Sequence, residues 1–95
     1  MIVASDTTPI SSLLKIDRLN ILESLFQSVI IPPSVKEELV VGFADDTKLK
    51  KFLSSSWVQI IHPKNLIEVK RLLSSLDDGE SEAIVLAKEL HTDYF

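Results

Sequence analysis

Met1-Ile2-Val3-Ala4-Ser5-Asp6-Thr7-Thr8-Pro9 runs from an apolar segment straight into a helix start. Met1 to Ser5 is short, hydrophobic and partly β-branched, as expected of a strand buried on both faces. Thr8 is placed to cap a helix, with Pro9 at its first position. Asp6 then stands at the carboxyl end of the first strand of an α/β unit, where open α/β sheets hold their ligands. Such an acid either caps the helix that follows or belongs to a site.

The same pattern repeats outward from this stretch. Pro9 to Ile16 places Ile10, Leu13 and Leu14 on one helical face. Asp17 reads as the cap of a second helix, on which Leu22, Leu25 and Phe26 share a face. Val29-Ile30-Ile31 is a second strand, and Pro32-Pro33 both stops it and pre-sets the next helix, Ser34 to Val41. Gly42 is a plausible C-cap for that helix. Asp45-Asp46 opens a charged helix to about Leu53, and Trp57 to Ile61 forms a third strand. Helices follow over Leu66–Leu76 and Asp78–Leu90, and Tyr94-Phe95 begins another strand. Apolar strands separated by helices predict an α/β fold with a central parallel sheet covered on both faces.

Composition narrows the function classes. A chain of 95 residues suits a single domain, residues 1–95, with little margin in its core. The absence of cysteine removes disulfides, thiolate metal sites and a cysteine nucleophile. No stretch reaches the length of a membrane span or has the layout of a signal peptide, so a cytoplasmic location is expected. The net charge of −4 argues against coating nucleic acid by bulk electrostatics. A nucleic-acid role would need local basic patches or a metal ion that inverts the local charge. Phosphate-binding glycine motifs are missing.

Helical phase sorts the acids. At about 3.6 residues per turn, Val35 and Leu39 define the buried side of the third helix, so Glu37 points away while Glu38 sits on the flank. On the last helix, counting back from Ala83 and Ile84 brings Glu80 to the core-facing side of the first turn, whereas Asp78 and Glu82 point elsewhere. Each acid has a bland explanation. Asp6 would cap its helix, Glu38 would be solvated, and Glu80 would form a capping box with Asp77. If the three converge, they repel one another unless a cation intervenes. Oxygen ligands suit Mg²⁺ or Mn²⁺, which can activate water against a phosphodiester. The clusters Lys48-Lys50-Lys51 and Lys64-Lys70-Arg71 could steer RNA, though helix faces exposed to solvent explain them as well. His62 and His91 show no ligand spacing, and Ser54–Ser56 and Ser74-Ser75 read as helix ends.

Three blocks carry a resemblance: Val3 to Ile10, Ile30 to Leu39, and Leu76-Asp77-Asp78-Gly79-Glu80-Ser81-Glu82-Ala83-Ile84. In that order they resemble a PIN domain, closest to the small VapC-like prokaryotic proteins. The resemblance implies a three-layer α/β/α sandwich with a parallel sheet and an acidic pocket at its carboxyl edge. It also implies a Mg²⁺- or Mn²⁺-dependent endoribonuclease. By position it makes Asp6, Glu38 and Glu80 catalytic and metal-binding acids, with Ser5 and Thr7 supporting the first of them. Homodimers and a neutralising antitoxin protein are the implied partners. Relatives continue past the equivalent of Thr92-Asp93-Tyr94-Phe95 to another acid, so the C-terminal strands are expected to be missing or incomplete. That shortening would impair the enzyme and leave an unpaired apolar edge on the first strand, open to pairing with a second copy. Two alternatives stand beside the ribonuclease. One is a catalytically inactive PIN-like binding or dimerisation module, and the other is a generic α/β domain whose acids only cap helices.

Overall fold

Each apolar run becomes a strand in the computed structural model, which describes residues 1–95. The strands are β1 (Ile2–Ala4), β2 (Ser28–Ile31), β3 (Val58–Ile60) and β4 (Asp93–Tyr94), in the order β3-β2-β1-β4. All three pairings are parallel. Six helices connect them: α1 (Thr7–Lys15), α2 (Asn20–Leu25), α3 (Pro33–Gly42), α4 (Thr47–Leu53), α5 (Leu66–Leu72) and α6 (Asp78–Leu90).

The strand period of two divides the core between the sheet's faces. Val3, Val29, Ile31 and Val58 join Ile10, Leu14, Leu22, Leu39 and Phe52 in one buried cluster. The intervening Ala4 and Ile30 meet Leu86 and Ala87 in a second. Helices α1 to α4 therefore cover one face and α6 the other, with α5 packed on α6. This is the expected α/β/α sandwich.

Several element ends differ from the sequence reading, each for a local reason. The cap of α1 is Asp6 and not Thr8, because the Asp6 carboxylate accepts from the Thr7 N–H and starts the helix two residues early. Asp17 does not cap α2. It takes a left-handed turn at φ 58, a conformation Asp tolerates, and α2 starts after Leu19 without a side-chain cap. Gly42 lies within the last turn of α3, and Phe43 ends that helix in a non-left-handed conformation. Helix α5 stops at Leu72, and the Ser74 hydroxyl donates to the Arg71 carbonyl, the local competition that favours serine at helix ends. His91 caps α6 in the left-handed region, which accounts for this isolated histidine.

One correction bears on assembly. The first strand has no unpaired edge. Val3 pairs with Asp93 and Ala4 with Tyr94, so β1 is interior and the short, exposed β4 forms that side of the sheet. The Phe95 N–H donates to the Ala4 carbonyl at 2.9 Å, and the Phe95 ring lies 5.6 Å from that of Phe26.

The second cluster is small, and Leu86 is its large, fully buried aliphatic on α6. Leu86→Ala is expected to cost about 3 kcal/mol in urea unfolding. Ile67→Ala, at a side chain 83% exposed, should stay within about 0.5 kcal/mol of wild type. Equal effects at the two positions would contradict this packing.

Candidate functional site

The turn from β1 into α1 is held from both sides. The Ser5 N–H donates to Ile30 of β2 at 2.9 Å, and the Asp6 N–H donates to Phe95 beyond β4 at 3.1 Å. Ser5 is fully buried, and its hydroxyl donates to the carbonyls of Asp6 (2.9 Å) and Phe95 (3.3 Å). It thus braces the backbone of the turn and makes no hydrogen bond to the carboxylate. Asp6 is half-buried, with Oδ1 accepting from the Thr7 N–H at 2.7 Å. The Thr7 hydroxyl oxygen is buried beside it without a hydrogen-bond partner.

Gly79 brings a second acid to this point. It is buried in the first turn of α6, where that helix packs against α3. A Cβ at Gly79 would lie 3.0 Å from Glu38 Oε1, 3.1 Å from Asp6 Oδ1 and 3.3 Å from Val35 Cγ2. Two carboxylate oxygens from different elements therefore point at the space that glycine leaves empty. They are no more than about 6 Å apart, within the range at which like charges repel appreciably. Glu38 reaches this place from the exposed flank of α3 and makes no hydrogen bond or ion pair.

Glu80 is held differently. Its N–H donates to Asp77 Oδ1 at 2.9 Å, and its own carboxylate accepts from the Asp77 N–H at 3.5 Å, the capping box of α6. Tyr94 lies in the field of both Glu80 and Asp6. The Tyr94 hydroxyl is pushed from its ordinary 10.0 up to about 12, first by burial. The negative charges of Asp6, Glu80 and Asp77 add to this, with a hydrogen-bonding contribution from Asp6.

The fold thus brings Asp6 and Glu38 together, while Glu80 is engaged in the capping box of α6. No three His, Cys, Asp or Glu side chains are assembled closely enough to hold one ion between them. Nor does any cation pair with the three acids. The ion pairs lie elsewhere, at Lys48–Asp17, Lys50–Asp45 and the Arg71–Glu68–Lys88 group. These pairings draw Lys48, Lys50 and Arg71, three of the candidate RNA-steering cations, to other acids. An open groove of about 650 Å³ runs between α1 and α3, lined by Thr7, Ser11 and Lys15 on one wall and Ser34, Glu37 and Glu38 on the other, with Asp78 of α6, so Glu37 and Asp78 border it although helical phase pointed them elsewhere.

The DUF3368 family model, a PIN domain, matches residues 2–95. The chain belongs to the PIN-domain family. No curated protein and no solved structure matches it. The PIN fold is nuclease-like, and PIN domains generally depend on divalent metal ions. Oxygen-only donors suit such an ion here: two convergent carboxylates, a buried unpartnered threonine hydroxyl, and a pocket that a single methyl group would fill.

Gly79 and Tyr94 were not among the expected site residues of this PIN domain. Gly79 sits between Asp78 and Glu80 in the third block, where only a helix packed tightly on a neighbour would have revealed its role. Tyr94 gave no signal beyond opening a strand.

Tyr94 is the sole tyrosine, so its phenolate absorbance can be followed alone. Its raised value means that the stabilising contribution of the neutral hydroxyl is complete below pH 10 and is lost as pH rises from 10 to about 12. With circular dichroism reporting a retained fold, the wild-type midpoint should fall near 12, and in Asp6→Asn it should drop. A midpoint of 10 in both proteins would contradict the proximity of Tyr94 to the acids.

Proposed function

We propose that this PIN domain is a divalent-metal-dependent endoribonuclease of the toxin type, with Asp6, Glu38 and Glu80 as its metal-binding and catalytic acids. The observation that carries the reading is the convergence of Asp6 Oδ1 and Glu38 Oε1 on the space at Gly79, with no cation beside them. Helix capping explains an acid at position 6 or 80, but it gives Glu38 no reason to point there. Mg²⁺ commonly uses only one or two carboxylates and keeps several waters, so two close acids with a third nearby are a suitable donor set.

When bound, Mg²⁺ or Mn²⁺ would activate water and neutralise charge on the scissile phosphodiester. The chain's own contribution is to fix the donors. The Thr7 N–H orients Asp6, the Ser5 hydroxyl and Phe95 hold the turn that carries it, and the Asp77 capping box orients Glu80. RNA is the proposed substrate, a cognate antitoxin protein the proposed regulator, and the cytoplasm the proposed location. No helix is long and apolar enough to cross a membrane. A homodimer is also proposed, and with β1 interior its contact surface falls on β4 or the helices.

A second reading, an inactive PIN-like binding or dimerisation module, is favoured by one observation. Three side chains are not gathered tightly enough to ligate one ion.

RNA cleavage in Mn²⁺ separates the two. Asp6→Asn and Glu38→Gln should each reduce it about 100-fold or more while the fold persists, since Asn still caps α1. Mn²⁺ should raise the melting temperature of wild type and not of these variants. Cleavage undiminished in Asp6→Asn would overturn the site. A folded wild type that binds RNA but never cuts it would favour the binding module.

A further inference from the structure

Nothing in the backbone of α6 requires a glycine at position 79. No glycine of the chain has a positive φ, and inside a helix glycine is less favourable than alanine. What sets Gly79 apart is its surroundings. Gly42, the other glycine, has nothing within 4 Å of its Cβ position, whereas three atoms stand 3.0, 3.1 and 3.3 Å from that of Gly79. Only the farthest, Val35 Cγ2, is a packing partner, and it would have to give by a few tenths of an ångström. The nearer two are Glu38 Oε1 and Asp6 Oδ1.

These two oxygens are not equally free to move. Asp6 Oδ1 also accepts from the Thr7 N–H at 2.7 Å, so it cannot swing aside without uncapping α1. Glu38 extends from the exposed flank of α3 and makes no hydrogen bond or ion pair. A methyl group at position 79 would therefore push the Glu38 tip away and leave Asp6 in place. The fold loses little by that, since the displaced group has no partner and moves away from a like charge. A cation held by both oxygens loses one of its donors. The Cβ position is nearly equidistant from the two oxygens, which puts a methyl group on the midplane that such an ion would also occupy.

We propose that Gly79 is a positioning residue of the acidic site: its missing side chain is the room that lets Glu38 share a divalent cation with Asp6. This role rests on the metal-binding reading above and adds to it a residue that donates nothing to the ion yet decides whether it binds. Gly79 acts through Glu38 and touches no reacting atom. The ordinary alternative is that the glycine only lets α6 pack closely on α3 at Val35, which would affect stability alone.

The test measures Mn²⁺ binding by electron paramagnetic resonance on the full chain without RNA, beside the melting temperature of the metal-free protein. Gly79→Ala should weaken Mn²⁺ binding about tenfold or more, the scale on which groups behind the ligands change metal affinity. Its metal-free melting temperature should stay level or rise. Gly42→Ala, the control for helix propensity in open space, should bind Mn²⁺ as wild type does. Because the methyl group acts by displacing Glu38, adding Gly79→Ala to Glu38→Gln should cost little further affinity.

Mn²⁺ bound as tightly by Gly79→Ala as by wild type overturns the role of Gly79 and leaves the metal site standing. A Gly79→Ala chain that does not fold also overturns it, as does one whose Mn²⁺ affinity returns when Val35→Ala makes room beside the methyl group, since packing would then be the reason for the glycine. Wild type that binds no Mn²⁺ removes the metal reading and the role of Gly79 together. Wild type that binds Mn²⁺ but cuts no RNA removes only the ribonuclease reading, and the Gly79→Ala comparison still decides.

Discussion

The missing side chain at Gly79 is the constraint on which the site depends. It lets the first turn of α6 come close enough to α3 and the β1–α1 turn for oxygens of Asp6 and Glu38 to share one small volume. Three separate segments meet there, and each is fixed by its own local chemistry. Asp6 is fixed by its cap to Thr7, α6 by the Asp77–Glu80 box, and α3 by Pro33 at its start and the Ser34–Glu82 hydrogen bond to α6. An alanine at position 79 would gain helix propensity, about 1 kcal/mol, but would have to displace both carboxylate tips and Val35.

The electrostatic consequence follows directly. Asp6 and Glu38 are left without a cation, while Lys48, Lys50, Arg71 and Lys88 take part in surface pairs elsewhere. Those exposed pairs contribute little to stability. A divalent ion held between the two carboxylates, as proposed above, would offset their mutual repulsion. The Tyr94 hydroxyl is raised first by burial, and the charges of Asp6, Glu80 and Asp77 add to it.

Much of this was legible in the residues. Strands buried on both faces gave the parallel sheet, and the alternation of Val3 with Ala4 and of Val29 with Ile30 divides its two layers of helices. Helical phase brought Glu38 to the correct flank of α3. Phase fixes a direction but not a distance, so the approach of Glu38 to Asp6 and the separate engagement of Glu80 had to come from the packed structure. The sequence offers both Asp6 and Thr8 as the cap of α1, and only the turn geometry chooses Asp6. The pairing of β4 with β1 was hidden for a related reason. Two residues carry no periodicity, and what holds them is backbone hydrogen bonding through Phe95.

The most direct test of the shared acid pair is a double-mutant cycle on Mn²⁺ binding, read by electron paramagnetic resonance. Wild type, Asp6→Asn, Glu38→Gln and the double variant are compared without substrate. If the two oxygens serve one ion, each single change should remove most of the affinity and the double variant should lose little more. Independent, additive losses, or Mn²⁺ binding unchanged in either single variant, would contradict a common site at Gly79.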